Sequence, residues 1–128
     1  IVSAGDSLRD GYEVGKAYFR NREGAERPTG VICYNDLVAI GLMRALRELD
    51  ISVPDEVSII GCDDIEFAKY VSVPLTSIQI PKFEMGHRAA EILVRNIESE
   101  QTSDLEQVHL ESEIIERAST TSRDSVST

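Results

Sequence analysis

Residues 31–64 read VICYNDLVAIGLMRALRELDISVPDEVSIIGCDD. The stretch opens on a short apolar, β-branched run at 31–34 and closes on a second at 57–62. Asn35-Asp36 follows the first run and Asp63-Asp64 the second. Between them, residues 37–49 are apolar at helical spacing, with charge only at Arg44, Arg47 and Glu48. Continuous apolar runs bounded by turn residues predict strands covered on both faces. A helix between two such strands predicts a βαβ unit and a parallel sheet, because parallel neighbours need a long crossover. The helix is apolar almost all round in its first turns, which predicts that a second of its surfaces is covered as well.

Outward from this unit, Leu8, Tyr12, Gly15 and Phe19 recur at steps of four, three and four, one face of a helix over 8–22. Ser7 with Asp10 three residues later predicts its N-terminal cap, and Gly24 its end. On the other side, a short helix is expected over 65–70 and a third strand over 76–80, stopped by Pro81. Residues 83–97 predict an amphipathic helix with Phe83, Gly86, Ala90, Leu93 and Ile97 on one face. A polar linker over 99–106 and two closing strands, 107–110 and 114–118, complete the expected order. The last residues are rich in Ser and Thr and read as a disordered tail, 122–128.

The chain has 128 residues, which suits one domain with a real core. It lacks Trp, and aromatics are 5% of it, so the core must be aliphatic. Lys and Arg number 13 against 23 Asp and Glu, a net charge of -10. Nucleic-acid binding by this stretch alone is therefore not expected, since it leans on clustered cations that release counterions. No apolar run approaches the ~20 residues that cross a bilayer. Residues 1–10 lack the basic and apolar regions of a secretory signal. Cys33 and Cys62 both end apolar runs, which suits buried free thiols in a reducing cytoplasm.

The candidate chemistry lies after the strands. In a parallel sheet the carboxyl ends share one edge, and ligands bind outside that edge. Asn35-Asp36 and Asp63-Asp64 should therefore be neighbours, offering planar oxygen acceptors to the hydroxyls and amines of a small polar ligand. Capping is the competing role, because Asn and Asp are favoured before helices. Asp36 and Asp64, directly before their helices, suit capping; Asn35 and Asp63, nearer the strands, suit ligand contact. A receiver-like, phosphoryl-accepting domain using Asp63 or Asp64 is the enzymatic alternative. Against it, no Lys or Arg follows a strand nearby to neutralise a phosphoryl group. His87 and His109 have no metal-ligand spacing and there is no glycine-rich phosphate loop, so no metal, cofactor or catalytic set is expected.

Five motifs in order then carry a resemblance. Tyr34-Asn35-Asp36-Leu37-Val38-Ala39-Ile40-Gly41 resembles N-D-x-x-A-x-G, and residues 53–64 resemble V-P-x-D-[VI]-S-[VI]-[VI]-G-[FY]-D-[DN]. Pro74-Leu75-Thr76-Ser77-Ile78 is similar to P-x-L-T-T-[VI]. Gly86-His87-Arg88-Ala89-Ala90 with Leu93 is similar to G-x-x-A-x-x-x-L, and residues 114–120 to L-[VI]-x-R-x-S-T. Together they resemble the lactose-repressor/galactose-repressor family of bacterial transcription regulators, over residues 11–120. Cys62 departs from the pattern, standing where an aromatic is usual.

The resemblance implies an α/β, three-layer αβα, periplasmic-binding-protein-like type I fold, of which this chain is the C-terminal part and so truncated. Residues 1–121 would belong to the effector-binding domain, with the helix at 82–98 in the other subdomain of the intact protein. It implies a cytoplasmic, non-enzymatic regulator that senses a small polar effector, a sugar among them. Asn35 and Asp63 would hydrogen-bond the effector, with Asp36 capping the loop beside them. DNA would be met only through a helix-turn-helix head outside this chain. Leu37, Phe67, Tyr70 and Val71 would form a homodimer contact. The 83–97 helix, lacking the other subdomain's sheet here, is expected to exchange with a second copy rather than fold back. A solute-binding protein of a transporter, with the same fold, is the other alternative.

Overall fold

The computed structural model describes residues 1–99 and 106–122. The chain divides into two compact units, Ile1–Gln79 with Ile114–Thr128, and Ile80–Glu113.

The first unit is built on the expected βαβ motif: β1 (Gly30–Ile32), α2 (Asp36–Glu48) and β2 (Ser58–Cys62), preceded by α1 (Leu8–Phe19). β3 (Thr76–Gln79) follows, and β4 (Glu113–Ile115) completes a sheet of order β1-β2-β3-β4. β1 and β3 both run parallel to β2, with Val31 opposite Ile59 and Gly61 opposite Ser77. α1 opens with the expected reciprocal cap: Asp10 N–H donates to Ser7 Oγ at 3.2 Å and Ser7 N–H donates to Asp10 Oδ2 at 3.0 Å. It ends at Phe19, short of residue 22, and Gly24, with φ +51°, starts a separate 3-10 turn, Gly24–Glu26.

α1 and α2 cross at backbone contact. A Cβ on Gly11 would stand 2.1 Å from the Val38 carbonyl oxygen, and one on Gly41 2.0 Å from that of Leu8. Hydrogen at these positions is what lets two helices approach this closely. At the far end of the crossing, Lys16 Nζ and Tyr12 Oη both donate to Glu48 Oε2 at 2.7 Å. The core is aliphatic as composition requires: Leu46, Val57, Ile59 and Leu75 are fully buried, with Phe19 its main aromatic.

Several expectations are corrected. β1 is not covered on both faces: Val31 packs against the core, but Ile32 is 74% exposed. Adjacent strand residues face opposite ways, and α2 covers one side only. The second covered surface of α2 is supplied by α1, which with β2 buries Ala39, Leu42, Ala45 and Leu46. No second copy is needed to explain that apolar excess. The 65–70 segment is a 3-10 turn, Glu66–Lys69, too short for an α-helix before the bend at 71–73. Of the two closing strands only Glu113–Ile115 forms. Residues 107–110 carry no strand, as an extended segment becomes one only beside a neighbour that accepts its ladder. The expected tail and linker lie largely outside the described residues, at 123–128 and 100–105.

Residues 117–120 are held at the start of β3 by hydrogen bonds outside any strand ladder. Ser119 is fully buried and uses every polar group it has. Its Oγ donates to Ile59 O at 2.6 Å and accepts from Thr76 N–H at 2.8 Å; its backbone accepts from Ile59 N–H and donates to Pro74 O. It thus joins β2 to β3 just where β3 begins. Ser119→Ala should strand Thr76 N–H and the Ile59 carbonyl, at a cost of about 2 kcal/mol. Urea unfolding monitored by circular dichroism measures this; an unchanged midpoint would show the serine hydroxyl to be dispensable.

The second unit is dominated by α3 (Lys82–Glu98). The expected amphipathic helix is present, yet none of its residues is buried. Phe83 is 89% exposed, and Leu93 and Ile97 are open as well.

Candidate functional site

β1 and β2 end side by side, and the segments that follow them are tied together. Ile65 N–H, just past Asp63-Asp64, donates to Asp36 Oδ2 at 2.8 Å. The two acidic clusters are therefore neighbours at the carboxyl edge of the sheet.

Within the first cluster the cap is made by Asn35, not by Asp36 as expected. Asn35 is the N-cap of α2: its Oδ1 accepts from Val38 N–H at 2.8 Å, while its Nδ2 donates to Asp6 O at 2.8 Å. It is half-buried, and a carboxamide has a second lone pair and a second N–H for a ligand. Asp36 is fully buried and does not cap. Its Oδ1 accepts from Ser77 Oγ at 2.6 Å and its Oδ2 serves Ile65, so it supports the edge from below and presents nothing to a ligand. Glycine at 61 makes the room: a Cβ there would lie 2.1 Å from Asp36 Oδ1. Burial pushes the Asp36 carboxyl above its ordinary pKa, opposed by the bonds from Ser77 and Ile65 and reinforced by the charges of Asp63 and Asp64.

The second cluster turns through unusual backbone. Asp63 has φ +104° and Asp64 φ +46°. Asp and Asn enter the left-handed region more readily than other side-chain residues, but two in succession need external support. Asp63 N–H donates to Ile78 O at 2.9 Å and Asp64 N–H to Ser77 Oγ at 3.0 Å. Asp64 does not cap a helix; its carboxylate lies between Gln79 Nε2, at 3.1 Å from Oδ2, and the Arg117 guanidinium, whose Nη2 is 2.7 Å from Oδ1. Asp63 is half-buried at the tip of this turn.

Sequence reasoning missed Ser77, Gln79 and Arg117, which hold the acidic turn. Arg117 corrects the expectation that no cation stands near it, since the chain brings the arginine from beyond β4. Ser77 and Arg117 lie inside motifs quoted above; only their partners were hidden. Of the expected dimer residues, Leu37, Phe67 and Tyr70 are exposed, the last two at 72%, whereas Val71 is half-buried against the core. Neither Cys33 nor Cys62 is in a disulfide, and burial pushes the Cys33 thiol up to about 12. Among the described residues no three His, Cys, Asp or Glu side chains gather to hold a metal, and no helix is long and apolar enough to cross a membrane.

A sizeable hollow in the first unit lies elsewhere. A groove of about 850 Å³ runs along β1 beneath α1, lined by Val14, Tyr18, Phe19, Val31 and Ile32 among others. It is mainly apolar, follows the uncovered face of β1, and touches neither Asn35 nor Asp63. Asn35 and Asp63 stand at the strand ends, outside this groove.

Comparison with known proteins identifies the family. Residues 2–120 match the periplasmic binding protein-like domain. The chain is 44% identical over 102 residues to an arabinose metabolism transcriptional repressor of Geobacillus stearothermophilus, covering 80% of this chain and 28% of that protein. It is 43% identical over 96 residues to the HTH-type transcriptional repressor PurR of Vibrio atlanticus, covering 75% of this chain and 28% of that one. Its fold is similar to a LacI family transcriptional regulator from Enterococcus faecalis with bound ribose, with a TM-score of 0.80 and 34% identity over 93% of this chain and 42% of the other. The chain thus spans under half the length of each.

Proposed function

The chain belongs to the periplasmic binding protein-like domain family, in the lactose-repressor/galactose-repressor group of regulators, and from that membership we propose that it is the effector-sensing and dimerisation part of a DNA-binding transcriptional repressor. The effector is a small polar molecule, a sugar, contacted by Asn35 and Asp63. The observation that carries this reading is the placement of those two residues just past the ends of adjacent parallel strands, with the following segments joined by the bond from Ile65 N–H to Asp36. A sugar needs planar acceptors and donors at fixed spacing, and a pre-formed edge supplies them without reordering. The ribose held by the enterococcal regulator supports the choice of ligand class. The reading is non-enzymatic and places the protein in the cytoplasm, where its relatives act as repressors. In the longer protein, α3 belongs to the opposing subdomain, and DNA is reached through a helix-turn-helix head outside this chain. Effector closing the cleft between subdomains then shifts the population that binds DNA.

In the full-length regulator, Asp63→Ala should cost about 1–3 kcal/mol of effector affinity, the scale of a lost charged hydrogen bond. Titration calorimetry with ribose and related sugars measures it; equal affinity in wild type and variant would remove Asp63 from the site.

The homodimer is proposed to form through Leu37, Phe67, Tyr70 and Val71. Three of these expose apolar surface around segments that Asp36 ties together. Tyr70→Glu should shift the protein from dimer to monomer in light scattering, since a charge buried without a partner opposes association. A variant that stays dimeric would place the interface elsewhere.

A further inference from the structure

The motif that the effector reading leaves without a part is the closing one, residues 114–120, and its arginine is the residue that reaches the acidic turn. Arg117 is well buried, with its side chain 16% exposed, and so is Asp64, at 12%. Its guanidinium is used on two sides: Nη1 donates to Leu75 O at 2.7 Å, and Nη2 lies 2.7 Å from Asp64 Oδ1 as an ion pair without hydrogen-bond alignment. The backbone behind it is pinned too, as Arg117 N–H donates to Thr76 Oγ1 at 2.9 Å. The cation is therefore fixed to β3 before it meets the carboxylate.

We propose that Arg117 is a positioning residue for the effector contact: by gripping Asp64 it holds Asp63 and Asp64 in their left-handed backbone and so aims Asp63 at the ligand. The inference rests on the reading that Asp63 touches effector. Two successive aspartates at φ +104° and +46° would relax if nothing held them. Three carboxylates crowd this edge, at Asp36, Asp63 and Asp64, and the guanidinium offsets their mutual repulsion from a fixed place. Without it, Asp64 keeps Gln79 but loses its counter-charge, and a mostly buried unpaired carboxylate turns towards water. The peptide bond between Asp63 and Asp64 must turn with it, and Asp63 loses its direction. The bonds of Asp64 N–H to Ser77 and of Ile65 N–H to Asp36 report on that turn directly.

The test compares wild type, Arg117→Met and Arg117→Lys by NMR. A strong intraresidue HN–Hα cross-peak marks a positive φ at Asp63 and Asp64, and amide exchange reports the two reporter bonds. Arg117→Met is expected to weaken both cross-peaks and to speed exchange at Asp64 and Ile65 at least tenfold, while Ala39 and Leu46 in α2 keep their protection. Arg117→Lys, which keeps the charge without the fork, should recover part of both. Ribose titration of the full-length regulator, followed at the Asn35 and Asp63 amides, should show at least tenfold weaker binding in Arg117→Met and partial recovery in Arg117→Lys. Unchanged cross-peaks and exchange at the turn would overturn the proposal, as would a uniform loss of protection that includes α2. If the turn loosens as expected but ribose moves neither amide in the full-length wild type, the reading of ribose as effector fails and the hold of Arg117 on the turn stands. Should Arg117→Met not fold, Asp64→Asn removes the ion pair at the same shape and is expected to loosen the same turn; an unaltered turn in that variant overturns the proposal equally.

Discussion

Gly41→Ala is expected to destabilise the first unit by about 3 kcal/mol, at the upper end of what overpacking costs. The added methyl would stand 2.0 Å from the Leu8 carbonyl oxygen and 2.8 Å from the Tyr12 nitrogen. Both are backbone atoms of α1, so no side chain can swing aside. α1 must move away from α2 instead. That movement opens the contact lined by Gly11, Gly15 and Leu42, and stretches the Lys16–Tyr12–Glu48 cluster at its far end. A helix position normally gains from glycine replaced by alanine, by roughly 0.5–1 kcal/mol. The sign should be reversed here because the approach, not the helix, governs the position. Urea unfolding decides: a midpoint at or above wild type would mean that the two helices can part without loss. Gly86→Ala in α3, where a Cβ meets nothing within 4 Å, is the matched control and should follow the ordinary helix preference.

Asp36→Ala should cost a similar amount, about 3 kcal/mol, by a different route. Two partners lose their acceptor, the buried Ser77 hydroxyl and the Ile65 N–H, and each unmade bond costs roughly 1–3 kcal/mol. Asp36→Asn keeps an acceptor for Ile65 and removes a charge that burial disfavours, so its cost should be clearly smaller. The pH dependence follows from the same burial. The carboxyl is raised above its ordinary value of 3.8, so the folded state holds this proton more tightly than the unfolded chain. The resulting stabilisation is fully present below 3.8 and is lost as pH rises through the raised folded value. Asp36→Asn should remove that segment of the stability curve. Denaturation of both proteins across the mildly acidic range measures the difference; parallel curves would show that Asp36 takes no part in it.

Legibility of the fold and of the site differed for physical reasons. The apolar runs at 31–34 and 57–62 with a helix between them announce a parallel sheet, because period and length are local properties. The reciprocal Ser7–Asp10 cap is equally local. Asn35 and Asp36 show where locality stops. Both are good capping residues in adjacent positions, and composition does not say which one turns outward. The packing of α2 decides it: Asn35 keeps the capping geometry, and Asp36, one residue on, points into the space that Gly61 leaves open. The apolar excess of α2 was likewise legible as a covered surface, while the identity of the cover was not. Glycines at 11 and 41 allowed α1 to fill that place.

By itself the sequence determined the βαβ core, the aliphatic interior, the acidic balance and the two strand-end clusters, all of which follow from the order and period of residues near one another. Only the tertiary structure decided that Asp36 supports rather than caps, that Val31 is covered where Ile32 is open, and that Ser119 and Arg117 return from the chain's end to join the strands and grip the acidic turn. Arg117 and Asp64 are 53 residues apart in sequence. No local pattern pairs them, because what makes them partners is a shared low-dielectric position beside β3, and burial is a property of the assembled fold.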